Sequence, residues 1–263
     1  MKKEKIEDKK VFYYTDPLHD EFSGIKKNTI TVDKNYKYIS KNPFWNLTSF
    51  LIYRVFVTPF VLAHCARKFK YKIENKKVLK MHSHEGYFVY SNHTLMGGDA
   101  FFPSIVTFPK KPYLIVHADN VSSKGTKNLV MMLGAIPIPT KLNGMPKFKE
   151  TIEKRWVQGH PIYIYPEAHL WPYYTGIRPF ESTSFKYPAE LNSPVYASTT
   201  TFQKPKRGKN PKVTIYIDGP FYPDKALSVK ENQQKLRDQV YNAMIERSKN
   251  STYEVIKYER REN

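Results

Sequence analysis

Residues 86–99 read GYFVYSNHTLMGGD. A short apolar run ends in a polar pair and a histidine, His93. Two glycines follow, and an aspartate, Asp99, stands before the next apolar run, AFFPSIVTF (100–108). Six positions between His93 and Asp99 is wrong for one helical face, where neighbours lie three or four apart. It is also too far for contact along a strand, at roughly 3.3 Å per residue. The two side chains meet only if the chain folds back. Gly97 and Gly98 permit that, because glycine enters backbone conformations closed to other residues.

Around this stretch the chain alternates short apolar runs with amphipathic ones. Runs at 86–91, 113–118, 135–140, 161–167, 193–202 and 212–219 read as strands. Between them, 99–108, 124–133 and 146–158 read as helices. Phe148, Ile152 and Trp156 share one face of the third, Pro146 suits its first turn and Gly159 its end. Ser228 and Glu231 form a capping box before a last helix striped by Leu236, Val240 and Met244. Strands alternating with helices predict an α/β fold, a central mostly parallel sheet flanked by helices.

Ahead of it, residues 1–42 read as a polar N-terminal arm, extended or weakly ordered. Residues 43–80 carry apolar and aromatic bulk from Phe44 to Cys65, followed by Arg67, Lys68, Lys70 and Lys72. A helix pair broken at Pro59 fits this N-terminal apolar helical element. It suits either a membrane interface or the core. The α/β domain proper is read as 81–263.

Composition bounds the function. The 263 residues hold 43 Lys and Arg against 24 Asp and Glu, a net charge of +19, with 20 Tyr and 16 Phe. Such a surface attracts nucleic acid, an anionic membrane face or phosphorylated small molecules. The basic residues are scattered and no nucleic-acid motif is present, which argues against a nucleic-acid partner. The single cysteine, Cys65, excludes an intramolecular disulfide and a cysteine-based zinc site and reads as a buried thiol. Nearly every residue of the first ten is charged, so no signal peptide is read there, and no run reaches about 18 uncharged apolar residues. A cytoplasmic, peripheral membrane location is the expectation.

In a parallel sheet, functional groups gather at the carboxyl ends of the strands. His93 is expected there, and a histidine held by a carboxylate is a general base whose tautomer is fixed. The plainer readings are that Asp99 caps a helix and His93 is a satisfied polar residue. A metal site from His82, His84, His93 and Asp99 is a third reading.

The segment NHTLMGGD also resembles the His-x4-Asp box of the glycerolipid acyltransferases, the superfamily of lysophospholipid (1-acyl-sn-glycerol-3-phosphate) acyltransferases. LGAIPIPTK (133–141), YPEAHLW (165–171) and SPVYAST (193–199) are similar to that family's second, third and fourth boxes, in the same order. The resemblance spans about residues 85–220. It departs from the family in its five-residue His–Asp spacer. Ala168, His169 and Leu170 stand where the third box has Gly, Thr and Arg, and Thr140 with Lys141 stands where the second has Arg. The resemblance implies an O-acyltransferase acting in glycerolipid biosynthesis. An acyl group would pass from a thioester, acyl-CoA or acyl carrier protein, to a hydroxyl of a lysophospholipid-like acceptor, with no other cofactor. His93 and Asp99 are then catalytic. Glu167 would accept bonds from acceptor hydroxyls, His169 and Gly134 would line the site, and Lys141 or Arg178 would replace the phosphate-binding arginines. An inactive lipid-binding relative, a hydrolase using water and a nucleic-acid-binding protein are the competing functions.

Overall fold

The strand Phe88–Ser91 (β3) is buried on both faces and sits at the centre of a seven-stranded sheet. In the computed structural model, residues 10–24, 30–121, 127–205, 208 and 210–261 are described. β3 pairs in parallel with Ile162–Ile164 (β6) on one side and Val195–Gln203 (β7) on the other. Beyond β6 lie Tyr113–Val116 (β4) and the edge strand Ala135–Pro137 (β5), both parallel to it. Beyond β7, Lys212–Phe221 (β8) runs antiparallel, and Lys72–Glu74 (β2) pairs with β8 at the far edge. The order is β2-β8-β7-β3-β6-β4-β5, a mixed but mostly parallel sheet flanked by helices.

Each run read as a strand contributes to this sheet, because strands covered on both faces are apolar without alternation. Successive side chains of β3 still serve different layers. Phe88 and Tyr90 pack with Phe148 and Ile152 of α5 (Met145–Val157) and Leu236, Val240 and Met244 of α7 (Val229–Ser248). Tyr87 and Val89 pack with Val61, Cys65 and Phe69 of α2 (Thr58–Phe69) and Phe102 and Ile105 of α3 (Phe102–Val106). The helix expected over 124–133 is described as Lys127–Met132 (α4), with 124–126 outside the described residues. The basic stretch 204–212 is likewise only partly described.

The apolar element differs from the expected helix pair. It is one continuous helix, Pro43–Phe69, 27 residues long, in which α1 (Pro43–Leu51) passes through a π-helical turn, Ile52–Val57, into α2. Pro59 has no N–H to donate, and the wider turn accommodates it instead of breaking the helix. The N–H of Thr58 reaches back five residues to Tyr53 O, and the Thr58 hydroxyl donates to the same carbonyl at 2.7 Å. The helix is long and apolar enough to cross a membrane, contrary to the count of uncharged residues. Arg54, the charge that interrupts the run, donates to Pro109 O at 2.7 Å. Phe44, Leu47, Phe50, Val55, Phe56 and Phe60 are exposed along the helix. Cys65 is buried against the sheet, and burial pushes its thiol up to about 11, which suits a packing role.

Residues read as a polar arm pack on the domain. Val32, Tyr36 and Tyr38 enter the core beside Phe148. Lys10–Tyr14 (β1) pairs in parallel with Ile256–Arg260 (β9) in a separate two-stranded sheet. The first and last described segments converge on Trp171, which is fully buried. Tyr258 stacks on it at 5.0 Å, Tyr14 and Phe22 lie at 4.9 and 5.1 Å, and its indole N–H donates to Asp20 O at 2.8 Å. Aromatic packing, not hydrophobic periodicity, orders this segment. Trp171→Ala is expected to cost about 3–5 kcal/mol, read as a lowered urea midpoint. A midpoint unchanged from wild type would show that the terminal clasp is dispensable.

Candidate active site

The carboxyl end of β3 is fixed by a side chain acting as backbone. Asn92, buried, donates through Nδ2 to Thr200 O at 3.0 Å and accepts from the Thr200 N–H at 2.8 Å, extending the ladder to β7. At the next residue the chain leaves the sheet. The His93 N–H donates to Glu167 Oε2 at 3.0 Å, and His93 O and Thr94 O accept from the N–H groups of Trp171 and Tyr173 at 3.1 and 2.7 Å. The loop after β6 therefore runs alongside the loop after β3.

The fold-back foreseen from the glycines follows. Leu95 O accepts from the N–H groups of Gly98 and Asp99 at 2.8 and 3.0 Å, closing a turn with Gly97 at φ +68°. That left-handed conformation favours glycine. At Gly98 a Cβ would lie 2.5 Å from the Leu95 side chain, so close packing also requires its absence. The turn brings Asp99 Oδ2 to 2.6 Å from His93 Nδ1 and 3.1 Å from the Leu95 N–H. Burial pushes the Asp99 carboxyl above its ordinary value, while the His93 and Leu95 hydrogen bonds pull it back. Asp99 is shut away, with 9% of its side chain exposed, but His93 keeps 22%. With Nδ1 committed to the carboxylate, Nε2 is the ring nitrogen free to exchange a proton with a ligand. Tyr165, which the sequence reading did not single out, lies along the imidazole at 4.5 Å and 26°, and its hydroxyl donates to Asp99 O at 2.7 Å. Its position at the end of the β6 run was the only signal for it.

The remaining expected residues divide. Glu167 and Arg178 come together, but in the interior. Glu167 Oε1 accepts from the Arg178 N–H at 3.0 Å, and Oε2 accepts from Arg178 Nη2 at 3.2 Å as well as from the His93 N–H. Arg178 also donates to His169 O and Pro17 O, and its guanidinium lies 4.9 Å from the Trp171 ring. Both residues are almost fully buried. The roles read from the sequence, a hydroxyl acceptor and a phosphate binder, are corrected by this pairing: each is turned inward and occupied, and together they position His93. Ala168 adopts φ +61°, so it takes the left-handed conformation usually left to glycine and turns the loop past Tyr165.

His169 stays near the surface beside Glu167 and pairs through Nδ1 with Glu21 Oε2 at 2.8 Å. Lys141 is exposed just beyond the carboxyl end of β5. Gly134 does not share their edge. It opens β5 at the amino end, with φ +109°, where a Cβ would meet Pro112 O at 2.5 Å, so its role is a tight turn and not ligand contact. The reading of His82, His84, His93 and Asp99 as one metal site is also corrected. His82 lies before β3, at its opposite end from His93, with its ring nitrogens 2.5 and 3.0 Å from the hydroxyls of Tyr196 and Tyr222.

Removing the Glu167 charge is expected to leave Arg178 buried and unpaired. Glu167→Gln should destabilise by about 3–5 kcal/mol, and the double variant Glu167→Gln/Arg178→Met by less than the sum of its singles. Thermal melts of the four proteins check this; strict additivity would show that the pair is not coupled.

Comparison with known proteins agrees with this architecture. No protein-family model matches the chain, and no curated protein matches it. Among solved structures, the crystal structure of the 1-acyl-sn-glycerophosphate (LPA) acyltransferase PlsC from Thermotoga maritima is similar with a TM-score of 0.52 and 17% identity, covering 80% of this chain and 89% of that one. The chain thus has a lysophosphatidate acyltransferase-like fold, with His93 and Asp99 at the carboxyl edge of its central strand.

Proposed function

We propose that the protein is an O-acyltransferase moving an acyl group from a thioester to the hydroxyl of a lysophospholipid-like acceptor. One observation carries this reading: an imidazole whose Nδ1 is held at 2.6 Å by a buried carboxylate while the ring remains partly open. The likeness in fold to an acyltransferase supports the reaction class.

An alcohol is a poor nucleophile at neutral pH. His93 Nε2 accepts its proton as the oxygen attacks the thioester carbonyl, and Asp99 stabilises the imidazolium that forms. The tetrahedral oxyanion collapses by expelling the thiolate. The new ester C–O bond replaces the C–S bond, and the imidazolium proton restores His93 as it leaves with the thiol. A free thiol has a pKa of about 8.5, so the leaving group needs little help. No covalent enzyme intermediate is required. The donor is acyl-CoA or acyl carrier protein, and no further cofactor takes part.

An interfacial substrate suits the outside of the molecule. The apolar face of Pro43–Phe69 ends in Arg67, Lys68 and Lys70, the combination that binds anionic membrane surfaces. Peripheral attachment to the cytoplasmic membrane face, in phospholipid biosynthesis, follows from this reading.

Mass spectrometry of products from acyl-CoA and a mixed lysolipid extract tests the reaction. Wild type should yield diacyl products. His93→Ala should lower kcat by about 10²–10⁴-fold without loss of fold, and Asp99→Asn should leave partial activity. Wild-type rates in His93→Ala would overturn the base, and wild-type rates in Asp99→Asn would reduce Asp99 to closing its turn on the Leu95 N–H.

A further inference from the structure

The two sides of the His93 loop differ in their charges. On the side of the chain ends, the charges close on one another: Glu167 with Arg178 at 3.2 Å and Glu21 with His169 at 2.8 Å. On the helix side lie Arg67, Lys68 and Lys70, exposed, and no salt bridge among the described residues engages them. One of the three reaches the site. A Cβ added at Gly97 would lie 3.2 Å from Lys68 Nζ, so the ammonium rests against the glycine that turns the chain between the base and its aspartate. Gly97 is needed there for its φ of +68°, and its missing side chain also leaves Lys68 its place.

Lys68 is the top of a stripe. Phe60, His64 and Lys68 recur at i, i+4 and i+8 along α2 and so share one face. The Phe60 and His64 rings stack at 5.6 Å, and His64 meets Phe101, just past Asp99, at 6.1 Å. Phe60 belongs to the exposed apolar face of the helix. An apolar surface thus grades through an imidazole to an ammonium beside the dyad that lies 5.1 Å from the Phe69 ring and has no carboxylate partner among the described residues, a sequence that matches a molecule with a hydrocarbon tail and a phosphate.

We propose that Lys68 binds a phosphate group of one of the two substrates and so positions it at His93. This rests on the acyl-transfer reading. The phosphate belongs either to the lipid acceptor or to the coenzyme A of the donor, and the two are separable. Wild type, Lys68→Ala and Lys68→Arg are assayed in detergent micelles of fixed composition, with lysophosphatidate or monoacylglycerol as acceptor and acyl-CoA or acyl-pantetheine as donor. Circular dichroism melts verify that each variant is folded. Lys68→Ala should raise KM for the phosphate-bearing substrate by about 10- to 100-fold, the size of a lost charged hydrogen bond. The KM for its phosphate-free counterpart should stay near wild type, and Lys68→Arg should restore most of the loss. A rise confined to lysophosphatidate assigns the phosphate to the acceptor, and one confined to acyl-CoA assigns it to the donor. Equal effects with and without phosphate, or no effect in any pairing, overturn the proposal. Should wild type transfer nothing in any pairing, the acyl-transfer reading fails by itself. Calorimetric titration of coenzyme A and lysophosphatidate onto wild type and Lys68→Ala then decides the phosphate site separately: weaker binding to the variant supports it, and equal binding overturns it.

Discussion

A buried carboxylate with three donors organises the edge of the sheet that carries His93. Glu167 takes the backbone N–H of His93, the backbone N–H of Arg178 and the Arg178 guanidinium. A charge without partners in this interior would be costly, and a pair missing one member still more so. The loops after β3 and β6 are therefore bound to a single relative position. The imidazole inherits that position through its own backbone, and the aromatic clasp around Trp171 holds the same loop from outside. The proposed acyl transfer would demand such rigid placement of a general base, since proton abstraction depends on geometry before it depends on basicity.

The Asp99 turn adds the second requirement, a fixed tautomer. Its ingredients are local: a left-handed glycine, a glycine packed too tightly for a side chain, and a carboxylate that also caps the Leu95 N–H. The helix-capping reading of Asp99 is corrected: α3 begins after Phe101 with no side-chain cap, and the Asp99 carboxylate accepts instead from the Leu95 N–H of its own turn. One carboxylate oxygen serves both the backbone and the ring. The five-residue spacer closes the contact because the turn folds residues 95–98 back on themselves.

The sheet was legible because strands covered on both faces need not alternate, and short runs rich in β-branched and aromatic residues such as YFVYS and VYASTTTF suit strands. β1, β2 and β9 were not. KVFYY, KIE and IKYER mix charge with aromatics and pair with partners far along the chain. The dyad was legible because its spacing made sense only with a reversal, and the glycines supplied one. Glu167 and Arg178 were found, but their direction was not, since a strand-end position says which edge a residue occupies and not whether it faces in or out. Gly134 illustrates the converse: a real backbone constraint, φ +109°, was read as a ligand contact. The continuity of Pro43–Phe69 was hidden because a proline normally signals a break, and a π turn leaves no sequence period of its own.

The tautomer of His93 is the most direct measure of the central claim. Nitrogen-15 NMR of the ring in its neutral form should report a protonated Nδ1, its proton shifted far downfield by the Asp99 carboxylate, and a bare Nε2. Asp99→Asn should abolish the downfield proton. A neutral ring protonated at Nε2 instead would contradict the assignment of His93 as the base.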